Sequence, residues 1–223
     1  MTVLDGYRSS TYDDAVAPDG SIRPVARTVM EAVLAHDLGA LAGSVREEVE
    51  ALGISFESVD GDDSWHVDPV PRVIDAAEWE RVAAGLGQRV RALNAFIADI
   101  YSDHRIVAEG VVPQRVLDSA ENLEPTMMGV RPGDGVWIGI AGLDLVRDAT
   151  GAWHVLEDNV RTPSGIAYWS AARDVLLRRL EVPVRPAPLD GVPAALRRVF
   201  GEGRLVVLTD GPDNSAYWEH DWI

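Results

Sequence analysis

Cysteine and lysine are both absent from the 223 residues. Without cysteine there is no disulfide framework, no thiol nucleophile and no Cys-ligated zinc. Without lysine, all twenty basic residues are arginine, which fits a base-composition habit of the genome. Long apolar runs are missing too, and none approaches the roughly 20 residues of a membrane span. The first eight residues, Met-Thr-Val-Leu-Asp-Gly-Tyr-Arg8, lack the basic region and apolar core of a secretory signal. A formal charge of −16 argues against nonspecific binding to nucleic acid or to an anionic membrane. These exclusions predict a cytoplasmic protein with neither nucleic acid nor membrane as partner. A hydrophobic fraction of 47% supplies one large core or two small ones.

What is present reads as helices around a hairpin. Residues 1–23, with Tyr7, Tyr12, Asp13, Asp14 and the turn Ala17-Pro-Asp-Gly20, predict an irregular arm. From Pro24 to Leu52, Val29, Met30, Val33, Leu34, Leu38, Leu41 and Val45 recur at helical intervals, and Gly53 reads as a C-cap. Ile54-Ser-Phe-Glu-Ser-Val59 alternates like a strand, Asp60-Gly-Asp-Asp63 reads as a turn, and Pro69-Val-Pro71 breaks regular structure. Asp75 or Ala76 opens the best helix, which runs to about Ile100 with Trp79, Val82, Leu86, Val90, Leu93, Ile97 and Ile100 as its core stripe. A short helix is predicted over Gln114–Ser119 and a loop over Gly129–Gly135. Ala167–Leu180 and Pro193–Phe200 read as helices, and Arg204-Leu-Val-Val-Leu-Thr209 as a buried strand.

The most informative stretch runs from Gly142 to Gly165. It predicts two strands joined by the turn Asp148-Ala-Thr-Gly151, the second strand being Trp153–Asn159. Side chains at i and i+2 share a strand face, so Glu157 and Asn159 point one way and Asp158 the other. Folding at 148–151 brings Asp144 across from that pair. Two carboxylates and an amide oxygen then form a set of hard donors of the kind Mg²⁺ uses when shared with nucleotide phosphates. Residue type alone leaves a plain solvated hairpin equally open, because acidic residues on a hairpin usually form a solvated face. Arg161 adds an anion-binding side chain two residues past Asn159, and the Pro163-Ser164-Gly165 loop has amides that could face a phosphate.

An Asp on one strand, a glycine turn and Glu-x-Asn on the next resembles the metal hairpin of ATP-grasp ligases. More narrowly, Asp144-Leu-Val-Arg-Asp148 followed by Val155-Leu-Glu-Asp-Asn-Val-Arg-Thr-Pro-Ser-Gly165 resembles the circularly permuted ATP-grasp family, type 2. Gly53-Ile-Ser-Phe56, Pro69-Val-Pro-Arg-Val-Ile74, Glu78-Trp-Glu80, Gly85–Tyr101 and Val207–His220 agree in order. The resemblance implies an α/β (α+β) fold: an ATP-grasp-like lobe at 24–203, whose mostly antiparallel sheet carries the metal hairpin and packs on helices. The start of a second α/β domain would follow at 204–223. It implies ATP with Mg²⁺ or Mn²⁺ as cofactors, Asp144, Glu157 and Asn159 as metal ligands, and Glu157 and Arg161 as catalytic residues. Arg161, Ser164 and Gly165 would bind the cofactor. The reaction implied is a carbon–nitrogen ligation between a small-molecule carboxylate and an amine or peptide through an acyl phosphate, with a protein partner encoded nearby.

ATP-grasp enzymes place lysines on the ATP phosphates, and this chain has none to place. With its end at Ile223, the expectation is the N-terminal portion of a longer ligase. Two other readings stand beside it: a non-catalytic remnant that binds a metal or a partner, and a metal-dependent hydrolase or phosphotransferase. Of the remaining polar residues, Gln88, Arg89, Arg91 and Asn94 read as the flank of the long helix, with the Gln88-Arg89 pair raised by the resemblance. Arg72 reads as a structural ion pair ahead of a substrate contact, and the dispersed tryptophans as packing residues. His66, His104 and His154 have no zinc spacing, and His154 is expected to alternate away from Glu157.

Overall fold

Helix α1 (Arg27–Leu34) turns Val29, Met30 and Val33 inward. After it, Asp37 caps α2 (Leu38–Ala51), its carboxylate accepting the Ala40 amide at 2.9 Å. The helical stretch read from Pro24 to Leu52 is therefore two helices, split at a cap. Leu41, Val45 and Val49 recur every four residues and are all buried. The end of α2 follows the expected glycine chemistry. Gly53 adopts φ +66°, and the Gly53 and Ile54 amides bond back to the Glu50 and Val49 carbonyls at 2.9 and 3.3 Å.

The computed structural model describes residue 4, residues 6–54 and residues 65–223. The strand read over Ile54–Val59, beyond its first residue, and the turn at 60–63 lie outside the described residues.

Helix α3 (Ala76–Ile100) starts where Asp75 accepts the Glu78 amide at 2.7 Å. Short helices α4 (Arg105–Ala108) and α5 (Gln114–Asp118) follow, then a single 3₁₀ turn at Pro125–Met127. Strands β1 (Gly142–Arg147) and β2 (Trp153–Asn159) form an antiparallel pair. Helices α6 (Ile166–Leu180), α7 (Gly191–Phe200) and α8 (Tyr217–Trp222) complete the chain. The fold is thus α+β, as expected, with an antiparallel sheet. Among the described residues that sheet is the hairpin alone, not a larger one.

The core is shared by α1, α2 and α6: Val33, Val45, Val49 and Val175 are essentially inaccessible, and Tyr168, Leu176 and Leu180 close around them. Each fully buried valine of this kind contributes about 1.5–3 kcal/mol. Trp65 and Trp218 flank Tyr168 at ring distances of 5.4 and 5.2 Å, so α8 is seated on this core. Across the α2–α6 seam, Glu48 pairs with Arg178 at 2.7 Å and Arg179 at 2.5 Å.

Two sequence expectations fail here for the same reason. The α3 stripe read as core is only half-buried, Trp79 is exposed, and Ile100 alone is fully buried. Arg204–Thr209 is not a strand, and Leu208 is 89% exposed. Periodicity reports which face is apolar; burial requires a second element to cover it, and a strand requires another to take its backbone groups. The tryptophans also divide: Trp137 stacks on Tyr101 at 5.0 Å, whereas Trp79, Trp169 and Trp222 are exposed.

Candidate active site on the hairpin

The hairpin turn forms where its chemistry dictates. Asp148 accepts the Thr150 and Ala152 amides at 2.8 and 3.0 Å and the Thr150 hydroxyl at 2.6 Å. These bonds and the ring of His154 at 2.9 Å hold its carboxyl well below the ordinary range; the Thr150 hydroxyl is the largest cause, His154 the next. Gly151 takes φ +88°, and a Cβ there would lie 2.5 Å from the Tyr12 ring. Only glycine fits between the turn and the arm.

The register pairs Asp144 with Glu157, Leu143 with Asp158 and Gly142 with Asn159. Cross-strand partners share a face, with Cβ atoms about 5 Å apart. Asp144 and Glu157 therefore stand side by side on the outer face, with Asn159 next along the same strand. Asp158 points to the opposite face. A bulge follows, because Leu145 pairs with Val155 and leaves Leu156 as the extra residue. It shifts the alternation by one, so His154, opposite Val146, lies on the face of Glu157. This corrects the expectation that it alternates away. Both are exposed, whereas Leu145, Arg147, Trp153 and Val155 are half-buried on the inner face.

Asp144, Glu157 and Asn159 make no side-chain hydrogen bond or ion pair with any described residue. Two carboxylates directly opposite each other repel, and a divalent cation is the partner that reverses that cost. The donor set, two carboxylates and an amide on one open face, suits a hard cation that completes its shell from a nucleotide. Among the described residues no cluster of three or more His, Asp or Glu side chains is gathered for a metal.

Beyond β2, Arg161 is exposed and donates to Asn122 Oδ1 at 3.0 Å. Ser164 and Gly165 line a cleft of about 810 Å³, which Tyr12, Asp14, Trp65 and Arg72 also border. The Gly165 amide, expected to face a phosphate, instead donates to the Glu219 carboxylate, at 3.0 Å to Oε1 and 2.8 Å to Oε2.

The inner face is held by arginines. Arg147 forks onto Glu78 of α3 at 2.7 and 2.9 Å, and its Nε lies 2.6 Å from Asp14. Arg89 of α3 grips Asp158 at 2.6 and 2.5 Å. Asn94 Oδ1 accepts the Trp137 and Ile138 amides at 2.8 and 2.9 Å, fixing the approach to β1. Arg72 pairs with Asp14 at 2.7 Å, the structural ion pair expected of it.

With this geometry in place, comparison with known proteins is decisive: the circularly permuted ATP-grasp type 2 family model matches residues 71–223. The chain belongs to that family. A Frankia casuarinae protein named "Putative glutamate--cysteine ligase 2-2" is 38% identical over 239 residues, covering 99% of this chain and 28% of that protein. A Frankia alni protein named "Putative glutamate--cysteine ligase 2-3" is 40% identical over 237 residues, covering 98% and 27%. An uncharacterized protein of Mycobacterium leprae is 33% identical over 244 residues, covering 99% and 43%. The chain thus spans between a quarter and a half of the length of these relatives.

In this permuted ATP-grasp chain, Glu219 is the site-adjacent residue that sequence reasoning missed. It lies in a stretch already noted for family resemblance, but its partners are 52 and 54 positions away, and no local spacing signals them. No described helix of this family member is long and apolar enough to cross a membrane.

Proposed function

We propose that this chain carries the metal-bearing part of an ATP-dependent carboxylate–amine ligase. One observation carries the reading: Asp144 and Glu157 are register partners on an exposed face that also holds Asn159, and none of the three has a described side-chain partner.

In the reaction, a substrate carboxylate oxygen attacks the γ-phosphorus of ATP, and the bond to the bridging oxygen of ADP breaks. The amine nitrogen then attacks the acyl carbon, phosphate departs and the nitrogen loses a proton. Phosphoryl transfer mainly requires positioning and charge neutralisation. A divalent cation, when bound, supplies the neutralisation. Asp144, Glu157 and Asn159 would hold it, the two carboxylates and the amide each offering an oxygen donor. Arg161 would hold the transferring phosphoryl group, since a guanidinium fork matches its oxygens. Ser164 would face the substrate from the cleft wall. The names of the Frankia relatives make glutamate and cysteine the first acid and amine to test.

The test is ADP release, with Mg²⁺, by the full-length protein in which these residues occur. ADP is expected only when acid and amine are both present, and Glu157→Gln should abolish it without unfolding. Wild-type turnover in that variant removes Glu157 from the mechanism. The absence of lysine favours a second reading, in which these residues bind the cation without turning over ATP unaided. Cation binding without any ADP release would select it.

A further inference from the structure

Glu219 is the buried charged residue of the described chain, 2% exposed, and the chemistry above does not use it. Its carboxylate sits at the N-terminus of α6. Besides the Gly165 amide it accepts the Ala167 amide at 2.8 Å. Two amides that have no partner within the helix and the positive end of a fifteen-residue helix thus hold an internal anion. An ordinary N-cap comes from the residue next to the helix; this one comes from α8, whose neighbouring Trp218 packs on Tyr168.

The consequence falls on the loop between β2 and α6. At one end Asn159 is paired with Gly142, and Pro163 lies so close to Gly142 that a Cβ there would be 3.2 Å away. At the other end Gly165, with φ +119°, is tied to Glu219. Arg161 and Ser164 lie between these fixed points.

We propose that Glu219 is a positioning residue: its carboxylate fills the anion seat of α6 and thereby fixes the loop that presents Arg161 and Ser164. Because the seat is taken, an incoming phosphate or carboxylate is turned away from the end of α6 and left to Arg161. The part concerning Arg161 rests on the ligase reading; the loop-fixing part does not.

Hydrogen exchange on the full-length protein in which these residues occur tests it, with wild type, Glu219→Gln and Glu219→Ala. Glutamine keeps one acceptor oxygen, so that variant should fold and exchange at an intermediate rate. In Glu219→Ala, residues 160–167 should exchange about ten-fold faster, while α3 and the hairpin keep wild-type rates. Added formate should enter the emptied seat and restore protection saturably, whereas chloride should not. Unchanged exchange at 160–167, acceleration spread evenly over the chain in both variants, or no response to formate would each overturn the proposal. ATP affinity is the parallel readout: Glu219→Ala should weaken it in wild type and add nothing in Arg161→Ala. Independent, additive effects would cut the link to Arg161. A wild-type chain that binds no ATP sinks the ligase reading, and exchange then decides Glu219 alone.

Discussion

Replacing Arg147 with alanine should be among the costliest single changes on the hairpin. The side chain is 8% exposed, forks onto Glu78, approaches Asp14 and donates to the Gly151 carbonyl at 2.9 Å. Its guanidinium also lies 3.9 Å from the Trp153 ring centre. Truncation leaves Glu78, 23% exposed, with only the Trp153 indole and Asp14, 17% exposed, with only Arg72. Breaking a fully buried pair costs about 3–5 kcal/mol, and partial access to water lowers that to roughly 2–4 kcal/mol. For a chain of this size each kcal/mol moves the melting point by about 2–4 °C, so the loss is roughly 5–15 °C. The acid limb is diagnostic. The Arg147 hydrogen bond, assisted by the Trp153 indole, holds the Glu78 carboxyl below its usual range. A depressed folded-state pKa gives stability that is full above the unfolded value and is lost as pH falls through the folded one. That loss, below about pH 4.5, should shrink in Arg147→Ala. Thermal and urea unfolding across pH measure both effects. A melting point within about 2 °C of wild type, or an unchanged acid limb, would refute the reasoning.

Gly151→Ala should destabilise by about 2–3 kcal/mol, since strain at positive φ adds to a collision with Tyr12; urea unfolding measures it. Arg89 and Asp158 should show little coupling in a double-mutant cycle, because the arginine side chain is 46% exposed. The Asp158 carboxyl is held low by the Arg89 hydrogen bond, so even that coupling should fade as pH drops through its folded value, as NMR titration of the carboxyl would show.

The hairpin was legible because its signals are local: the Asp148–Gly151 turn, apolar alternation and a residue count that sets Asp144 opposite Glu157. Helix α3 was legible from Asp75 and a 3.6-residue period. Its half-buried stripe was not, since burial depends on distant segments. The bulge at Leu156 moved His154 to the other face without any turn residue to announce it. Glu219 was invisible for the same reason as the exposed Arg204–Thr209 run: both depend on what the chain brings near them, and no spacing encodes that.

The account rests on the outer face of the hairpin holding a divalent cation, and a Mn²⁺ titration of the full-length protein in which these residues occur, followed by electron paramagnetic resonance, tests it directly. Saturable binding is predicted, weakened about ten-fold or more by Glu157→Gln and by Asp144→Asn while the fold is unchanged. Failure of the wild-type chain to bind Mn²⁺, or equal binding by both variants, would contradict it.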